Sequence, residues 1–131
     1  MIDLAREIAA SSHVGDVIGL KGTLGAGKSF FAKNFINFLQ EKETEILSPT
    51  FNLVYSYDTK KGEVFHFDLY RLKSAEELEN IGFFDALQSG ICLIEWPEIA
   101  AEFLTKNYYE IGIKTVANAG EEAREIFLKN T

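Results

Sequence analysis

Basic residues are scarce in this sequence, and no block of lysines or arginines occurs in it. Lysine and arginine total 13 against 20 aspartates and glutamates, so the net charge is −7. A protein that grips nucleic acid by itself usually presents a basic face. The composition therefore argues against strong direct binding of nucleic acid as the main activity.

Cysteine and long hydrophobic runs are scarce as well. Cys92 is the only cysteine, which excludes a disulfide within one chain and fits a reducing cytoplasm. It stands inside the apolar run Ile91–Ile94, where we expect a buried small side chain. No stretch approaches the length of a membrane-spanning helix, and the N-terminus has no apolar signal core. With 131 residues, we expect one globular domain, residues 1–131, in the cytoplasm.

One segment matches a nucleotide-binding motif in full. Residues 22–29 read Gly-Thr-Leu-Gly-Ala-Gly-Lys-Ser, which fits the pattern G-x-x-x-x-G-K-[ST]. Glycines let consecutive backbone N–H groups turn toward a phosphate, because no Cβ blocks the required angles. In this phosphate loop Lys28 is expected to reach the β- and γ-phosphates, and the Ser29 hydroxyl to bind Mg²⁺.

The flanking residues predict the strand and the helix that a phosphate loop needs. Val17–Leu20 is a short apolar run, typical of a buried parallel strand. After the loop, apolar residues recur at helical spacing, at Phe31, Phe35 and Phe38 and at Ala32, Ile36 and Leu39. The alternative is a glycine-rich turn with a solvated lysine, and the strand–loop–helix order argues against it.

Periodicity elsewhere predicts alternating helices and strands, hence an α/β protein. We expect helices over 2–11, from Ser74, over 83–87 and over 98–104, and strands over 46–47, 91–94, 109–113 and 123–128. A turn over 117–120 is expected to join the last two strands as a hairpin. Two alternating runs, 51–57 and 65–69, are joined by a short connection that ends in Gly62 and predict an antiparallel hairpin.

Two carboxylates follow predicted strands, where open parallel sheets bind their ligands. Glu95 follows Ile91–Ile94 and is the candidate for the second carboxylate of a Mg²⁺ site. Asp68 ends the hairpin. A solvated strand end and a turn cap are the respective alternatives. Thr50 offers a hydroxyl to the γ-phosphate or forms a turn, and Trp96 is either a core residue or closes the site beside Glu95.

The sequence resembles the TsaE family, also called YjeE. The motifs that carry the resemblance keep the family's order and spacing: Gly22–Ser29, Ser48–Phe51, His66–Leu72, Glu76–Leu78 and Glu95–Glu98. This family comprises bacterial ATPases required for the threonylcarbamoyladenosine modification at position 37 of tRNAs. His66 and His13 themselves are expected to be structural or exposed.

The resemblance implies a P-loop NTPase-like three-layer sandwich with a mixed central β-sheet between helices. It also implies ATP and Mg²⁺ as cofactors and the TsaD–TsaB pair as partners. Lys28, Asp68 and Glu95 are then catalytic, and Ser29 and Glu95 form the metal site. The motif and the resemblance together give the nucleotide-binding residues Gly22, Leu24, Gly25, Ala26, Gly27, Lys28, Ser29, Phe30, Thr50 and Trp96.

Two other functions fit the same loop. A small-molecule kinase usually has a lid with arginines, whereas the segment after Glu95 offers Lys106 and Lys114 but no arginine before Arg124. A regulatory nucleotide-binding module with little turnover is the other alternative. The GTPase motif N-K-x-D is absent from the sequence, which favours ATP.

Overall fold

A mixed sheet with helices on both faces forms the centre of the fold. The computed structural model describes residues 2–22, 27–40, 53–104, 108–115 and 124–130. The elements, in chain order, are α1 (Ile2–Ser11), β1 (Val17–Lys21), α2 (Lys28–Leu39), β2 (Val54–Thr59), β3 (Gly62–Asp68), α3 (Glu77–Asn80), α4 (Phe83–Ser89), β4 (Ile91–Glu95), a 3₁₀ helix (Pro97–Phe103), β5 (Tyr108–Thr115) and β6 (Arg124–Asn130).

Within the described residues, six strands are hydrogen-bonded in the order β2-β3-β4-β1-β5-β6. The four central strands are parallel, and β2 and β6 pair antiparallel with β3 and β5 at the two edges. Each edge strand is the sequence neighbour of its partner, as the two expected hairpins require. The parallel order brings the carboxyl ends of β1, β3 and β4 to one edge of the sheet.

The core has two halves, one on each face of the sheet. Helices α1 and α2 cover the first half, which consists of Ala5, Ala9, Ile18, Leu20, Phe31, Ala32, Phe35, Ile36, Leu39, Val64, Ile91, Leu93, Ile111 and Ile113. Helices α3 and α4 and the 3₁₀ helix contribute to the second half, which consists of Val17, Phe67, Leu69, Leu78, Phe83, Ala86, Cys92, Ile94, Ala100, Leu104 and Tyr108. Along the four central strands, β1, β3, β4 and β5, buried side chains therefore contribute to both faces of the sheet.

Three expectations needed adjustment. Phe38 is 38% exposed, so the buried stripe of α2 runs through Phe31, Phe35 and their neighbours only. The helix expected over 98–104 is a 3₁₀ helix that begins at Pro97, and Leu104 N–H closes it on Ala101 O at 3.2 Å. In the described part of the run 51–57, β2 begins only at Val54, because Leu53 has a φ of 66° and is not extended.

Two expected features, the strand over 46–47 and the turn over 117–120, lie outside the described residues. Within the part of the chain that is described, no helix is long and apolar enough to cross a membrane.

Gly19 allows a close approach between β1 and a ring from β5. A Cβ at Gly19 would lie 2.2 Å from the Tyr108 hydroxyl and 2.8 Å from Cε1 of the same ring. The Tyr108 hydroxyl donates a hydrogen bond to Glu110 at 3.2 Å. The absent side chain at Gly19 thus makes room for a buried aromatic ring over the centre of the sheet.

The turn between β2 and β3 is attached to the end of α1. Lys61 Nζ donates to the carbonyl oxygens of Ala9 at 3.1 Å and Ser12 at 2.8 Å, and also to that of Ala10. These are carbonyls of the last turn of a helix, where a cation is favoured by the helix dipole. This contact holds the edge hairpin against the helical layer at the end of the sheet away from the phosphate loop.

Candidate nucleotide-binding site

Lys28 is a residue of the phosphate-loop motif and the first residue of α2. Gly27 precedes it with φ 102°, a left-handed conformation that glycine adopts without a Cβ penalty. The Lys28 side chain is buried, and Nζ donates to the carbonyl of Gly22 at 2.6 Å. The Lys28 side chain therefore reaches from the first residue of α2 back to Gly22, the residue that follows β1.

The charges of three carboxylates act on the Lys28 ammonium group. Burial lowers the pKa of Lys28 below 10.5, because desolvation disfavours the charged form, and the charges of Glu95, Asp68 and Glu98 oppose this effect in that order. A phosphate group would add negative charge at the same place. The Lys28 ammonium group is thus a partly desolvated cation whose charge the nearby carboxylates favour.

Glu95 lies at the carboxyl end of β4, beside the loop. The ladder between β1 and β4 pairs Leu20 with Glu95, so the strand that enters the phosphate loop ends next to this carboxylate. Glu95 is 4% exposed, and its Oε2 atom accepts a hydrogen bond from Ser29 Oγ at 2.9 Å. The solvated strand end considered as the alternative does not describe this buried carboxylate.

Asp68 lies opposite Glu95 in the ladder between β3 and β4. It is 7% exposed, and its Oδ1 atom accepts a hydrogen bond from Tyr70 N–H at 3.0 Å. Asp68 therefore does hold the turn that follows its strand, as the capping alternative states. It also contributes to the electrostatics of Lys28, so the same carboxylate belongs to the turn and to the site.

Trp96 lies over the Lys28 ammonium group. Its ring centroid is 3.7 Å from Lys28 Nζ and 4.9 Å from the ring centroid of Tyr70. The residue has φ 57°, a left-handed conformation that is uncommon for a side chain of this size. The half-buried ring is thus at the site beside Glu95, and the attraction between a cation and an aromatic face stabilises its position.

Of five further residues expected at the site, the structure describes only Phe30. Leu24, Gly25, Ala26 and Thr50 lie outside the described residues. Phe30 is 47% exposed on the first turn of α2, away from the buried stripe of that helix.

The contact between His66 and Glu95 is the feature of this region that sequence reasoning missed. The His66 side chain is buried, and its Nε2 atom lies 2.7 Å from Glu95 Oε2. We expected a structural or exposed histidine, and His13 is indeed exposed. The available signal was the alternation of β3, which places His66 on the same face as Asp68, two residues away.

The donor set fits Mg²⁺ bound together with a nucleotide. In the described ranges no group of three or more His, Cys, Asp or Glu side chains is suited to hold a metal alone. Mg²⁺ usually takes one or two protein carboxylates, keeps several waters and binds substrate phosphates. The Ser29 hydroxyl and the Glu95 carboxylate, already 2.9 Å apart, are hard oxygen ligands of this kind.

Comparison with known proteins gives consistent similarities. The family model described as "Threonylcarbamoyl adenosine biosynthesis protein TsaE" matches residues 1–126. The "tRNA threonylcarbamoyladenosine biosynthesis protein TsaE" of Rickettsia conorii is 42% identical over 115 residues, which are 88% of this chain and 66% of that protein. The protein of the same description from Bacillus subtilis is 36% identical over 124 residues, or 94% of this chain and 75% of that protein.

A solved structure supports the same relationship at the level of the fold. The crystal structure of Bacillus subtilis YdiB matches with a TM-score of 0.68 and 34% identity, and the match covers 95% of this chain and 74% of that chain. Together with the mixed sheet flanked by helices, it confirms the expected α/β fold of the P-loop type. The chain spans about two thirds of the length of the Rickettsia conorii relative.

Proposed function

The chain belongs to the TsaE family, and we propose that it is an ATPase subunit of tRNA threonylcarbamoyladenosine biosynthesis. In this proposal residues 1–131 form one P-loop ATPase domain in the cytoplasm. It hydrolyses ATP with Mg²⁺ and acts on a TsaD–TsaB complex that modifies adenosine 37. The observation that carries the proposal is the convergence of Lys28, Ser29 and Glu95 where β1 and β4 end.

Lys28 is the residue that responds first to nucleotide in this proposal. Its ammonium group exchanges the Gly22 carbonyl for phosphate oxygens, which carry a full negative charge and compensate the desolvated cation better than a neutral dipole does. Gly27, with its left-handed backbone, leaves the approach to the helix N-terminus open. Binding therefore uses a charge that the fold has already placed and partly desolvated.

Ser29 and Glu95 hold the metal, and Asp68 supports hydrolysis. Mg²⁺ supplies charge neutralisation at the phosphate oxygens and fixes their orientation. Ser29 and Glu95 offer the hydroxyl and carboxylate oxygens for it. Asp68, the buried carboxylate opposite Glu95 in the sheet, is suited to orient an attacking water by accepting its proton or a hydrogen bond.

Productive turnover is expected to depend on protein partners. A net charge of −7 gives no electrostatic basis for binding a polyanion such as tRNA. The isolated chain is therefore expected to bind tRNA weakly and to hydrolyse ATP slowly. The free energy of hydrolysis must then reach the modification reaction through a surface that contacts another protein.

Steady-state phosphate release tests this proposal. The pure chain, the chain with the TsaD–TsaB pair, and the pair alone are compared at fixed Mg²⁺ and ATP, and a gel shift with tRNA is run on the pure chain at physiological salt. We expect a rate that rises when the three proteins are mixed and no gel shift by the chain alone. A rate indifferent to the partners, or strong tRNA binding by the lone chain, would contradict the proposal.

The same assay separates the two alternative functions. A kinase would transfer the γ-phosphate to an added small molecule, so radiolabelled phosphate would appear in an organic product instead of as inorganic phosphate. A regulatory module would bind ATP at normal affinity and show no release above background with the partners present. Either result would replace the ATPase proposal.

A further inference from the structure

We propose that His66 is a positioning residue that holds the Glu95 carboxylate in the orientation that Mg²⁺ binding requires. The inference rests on the proposed function, in which Glu95 is a metal-site residue. His66 itself is not expected to touch the metal or the nucleotide. Its role is exerted through one hydrogen bond between two adjacent strands.

The contact between the two side chains is short and buried. His66 Nε2 and Glu95 Oε2 are 2.7 Å apart, and their side chains are 1% and 5% exposed. A carboxylate oxygen can only accept, so the imidazole Nε2–H is the donor. Water has little access to this contact, so no solvent molecule easily replaces the hydrogen bond when the imidazole is removed.

The same Glu95 oxygen receives a second donor from a different element. Ser29 Oγ on α2 donates to Oε2 at 2.9 Å, while His66 on β3 donates from within the sheet. The carboxylate is therefore fixed from the helix and from the neighbouring strand. Ser29 is assigned to the metal in the proposed function, whereas His66 is a holder of Glu95 that has no metal role of its own.

The other ring nitrogen supports donation from Nε2. Among the described residues His66 Nδ1 is buried and has no hydrogen-bond partner. Orphaned buried N–H groups are rarer in proteins than unsatisfied acceptors. A ring with its hydrogen on Nδ1 alone would leave an unpaired donor there and a bare Nε2 facing a carboxylate. Both penalties are absent when the hydrogen is on Nε2.

Two amide substitutions test whether His66 positions Glu95 through its donor atom or only fills the space that its ring occupies. In His66→Gln the side-chain amide nitrogen reaches the position of Nε2, whereas in His66→Asn it reaches only the position of Nδ1. Both residues are polar amides, so they differ mainly in where the donor lies. His13→Gln, at the exposed histidine, is the matched control.

The measurement is the Mg²⁺ concentration at which half of the ATP-binding enhancement appears, by calorimetry on the pure chain. Loss of an outer-shell partner typically weakens metal binding by about 10- to 100-fold, so His66→Asn should raise this concentration by about tenfold or more. His66→Gln and His13→Gln should remain close to wild type. ATP binding in EDTA should be unchanged in all three variants.

Nitrogen-15 spectra of the histidine rings give a readout that needs neither nucleotide nor turnover. The chain has two histidines, and exposed His13 serves as the internal reference. We expect His66 to show a hydrogen on Nε2 in the nucleotide-free protein. A bare Nε2 would overturn the inference, because such a ring has no hydrogen to donate to Glu95.

The outcomes distinguish this inference from the proposed function. If Mg²⁺ does not enhance ATP binding by the wild-type chain, the metal assignment of Glu95 fails and the role of His66 fails with it. If wild type shows the enhancement and His66→Asn needs no more Mg²⁺ than His66→Gln, only the inference about His66 is wrong. Lower thermal stability of His66→Asn without a change in Mg²⁺ requirement would likewise assign His66 a merely structural role.

Discussion

The ammonium group of Lys28 donates a hydrogen bond to the Gly22 carbonyl at 2.6 Å, so the two ends of the phosphate loop are joined by one side chain. The Gly22 carbonyl oxygen therefore accepts the hydrogen bond that a phosphate oxygen is expected to accept from Lys28. In the proposed function, nucleotide binding exchanges this carbonyl for a phosphate oxygen at a lysine that is already buried.

Replacing Lys28 should separate binding from stability. Lys28→Met is expected to lower ATP hydrolysis by about 100-fold or more, since it removes a charge aimed at the phosphates. The nucleotide-free variant should be more stable than wild type at neutral pH, because burial lowers the pKa of Lys28 and so makes its charged form costly. Phosphate release and thermal unfolding measure the two effects.

The pH dependence of this stability difference has a definite sign. The cost of the charged lysine is fully present below its folded pKa and is relieved as the pH rises through that pKa toward 10.5, its value in the unfolded chain. The gain in melting temperature from Lys28→Met should therefore shrink at alkaline pH. Lys33→Met, at an exposed position of α2, is the control, and wild-type hydrolysis by Lys28→Met would contradict the loop assignment.

Glu95→Gln should impair hydrolysis more than nucleotide binding. Glutamine keeps the size and an oxygen that can accept from Ser29 or His66, but it lacks the charge that organises Mg²⁺. We expect turnover to fall by about 100-fold and the Mg²⁺ requirement to rise. Glu102→Gln removes an exposed carboxylate of the adjacent 3₁₀ helix as a control. A Mg²⁺ titration identical to wild type would remove Glu95 from the metal site.

Asp68→Asn tests which of its two roles matters more. The asparagine oxygen can still accept from Tyr70 N–H, so the turn should persist while the charge is lost. Turnover is expected to fall by about 100-fold, the lower range for loss of a general acid or base, with little change in melting temperature. Asp68→Ala, which removes both features, should lose activity and stability. Full activity with lower stability in Asp68→Asn would leave Asp68 a turn residue only.

Gly19→Ala should destabilise the sheet through the ring of Tyr108. The new Cβ would lie 2.2 Å from the hydroxyl and 2.9 Å from Cζ, so the ring must shift. Overpacking of this kind typically costs about 1–3 kcal/mol, measurable by urea unfolding. Gly19→Ala combined with Tyr108→Val should recover part of that loss relative to the sum of the single changes. Strictly additive effects would mean that the two residues do not compete for space.

The single thiol should be inert in the folded protein. Cys92 lies in the middle of β4 with no exposed surface, and burial raises its pKa to about 12. Thiolate is the reactive form, so an aromatic disulfide reagent should react at pH 8 only after denaturant is added. Rapid reaction of the native protein would show that β4 opens locally.

Much of this site is predictable from the sequence, because the phosphate loop specifies its own flanking strand and helix. The apolar run before Glu95 predicts a buried parallel strand, and open parallel sheets gather functional side chains at the strand ends. The observed pairing of Leu20 with Glu95 agrees with that expectation. The same rule, applied to the strand that became β3, predicts that Asp68 lies at this edge of the sheet.

The contacts that sequence reasoning missed depend on register and on long-range packing. Alternation places His66 and Asp68 on one face, but the offset between β3 and β4 is set by packing across the whole sheet, and no local pattern encodes it. The attachment of Lys61 to the end of α1 joins segments about 50 residues apart. The left-handed backbone of Trp96 is equally unexpected, because side chains of this kind rarely adopt it.

The fluorescence of Trp96 can report on the environment of Lys28. Trp96 is the only tryptophan of the chain, so all indole emission excited near the red edge of absorption comes from a ring 3.7 Å from the Lys28 ammonium group. Charge so close to an indole ring shifts its emission wavelength. In the proposed function Lys28 exchanges the Gly22 carbonyl for a phosphate, so the emission wavelength should change when nucleotide is added. The single tryptophan would then report the rate of the proposed exchange without any attached dye.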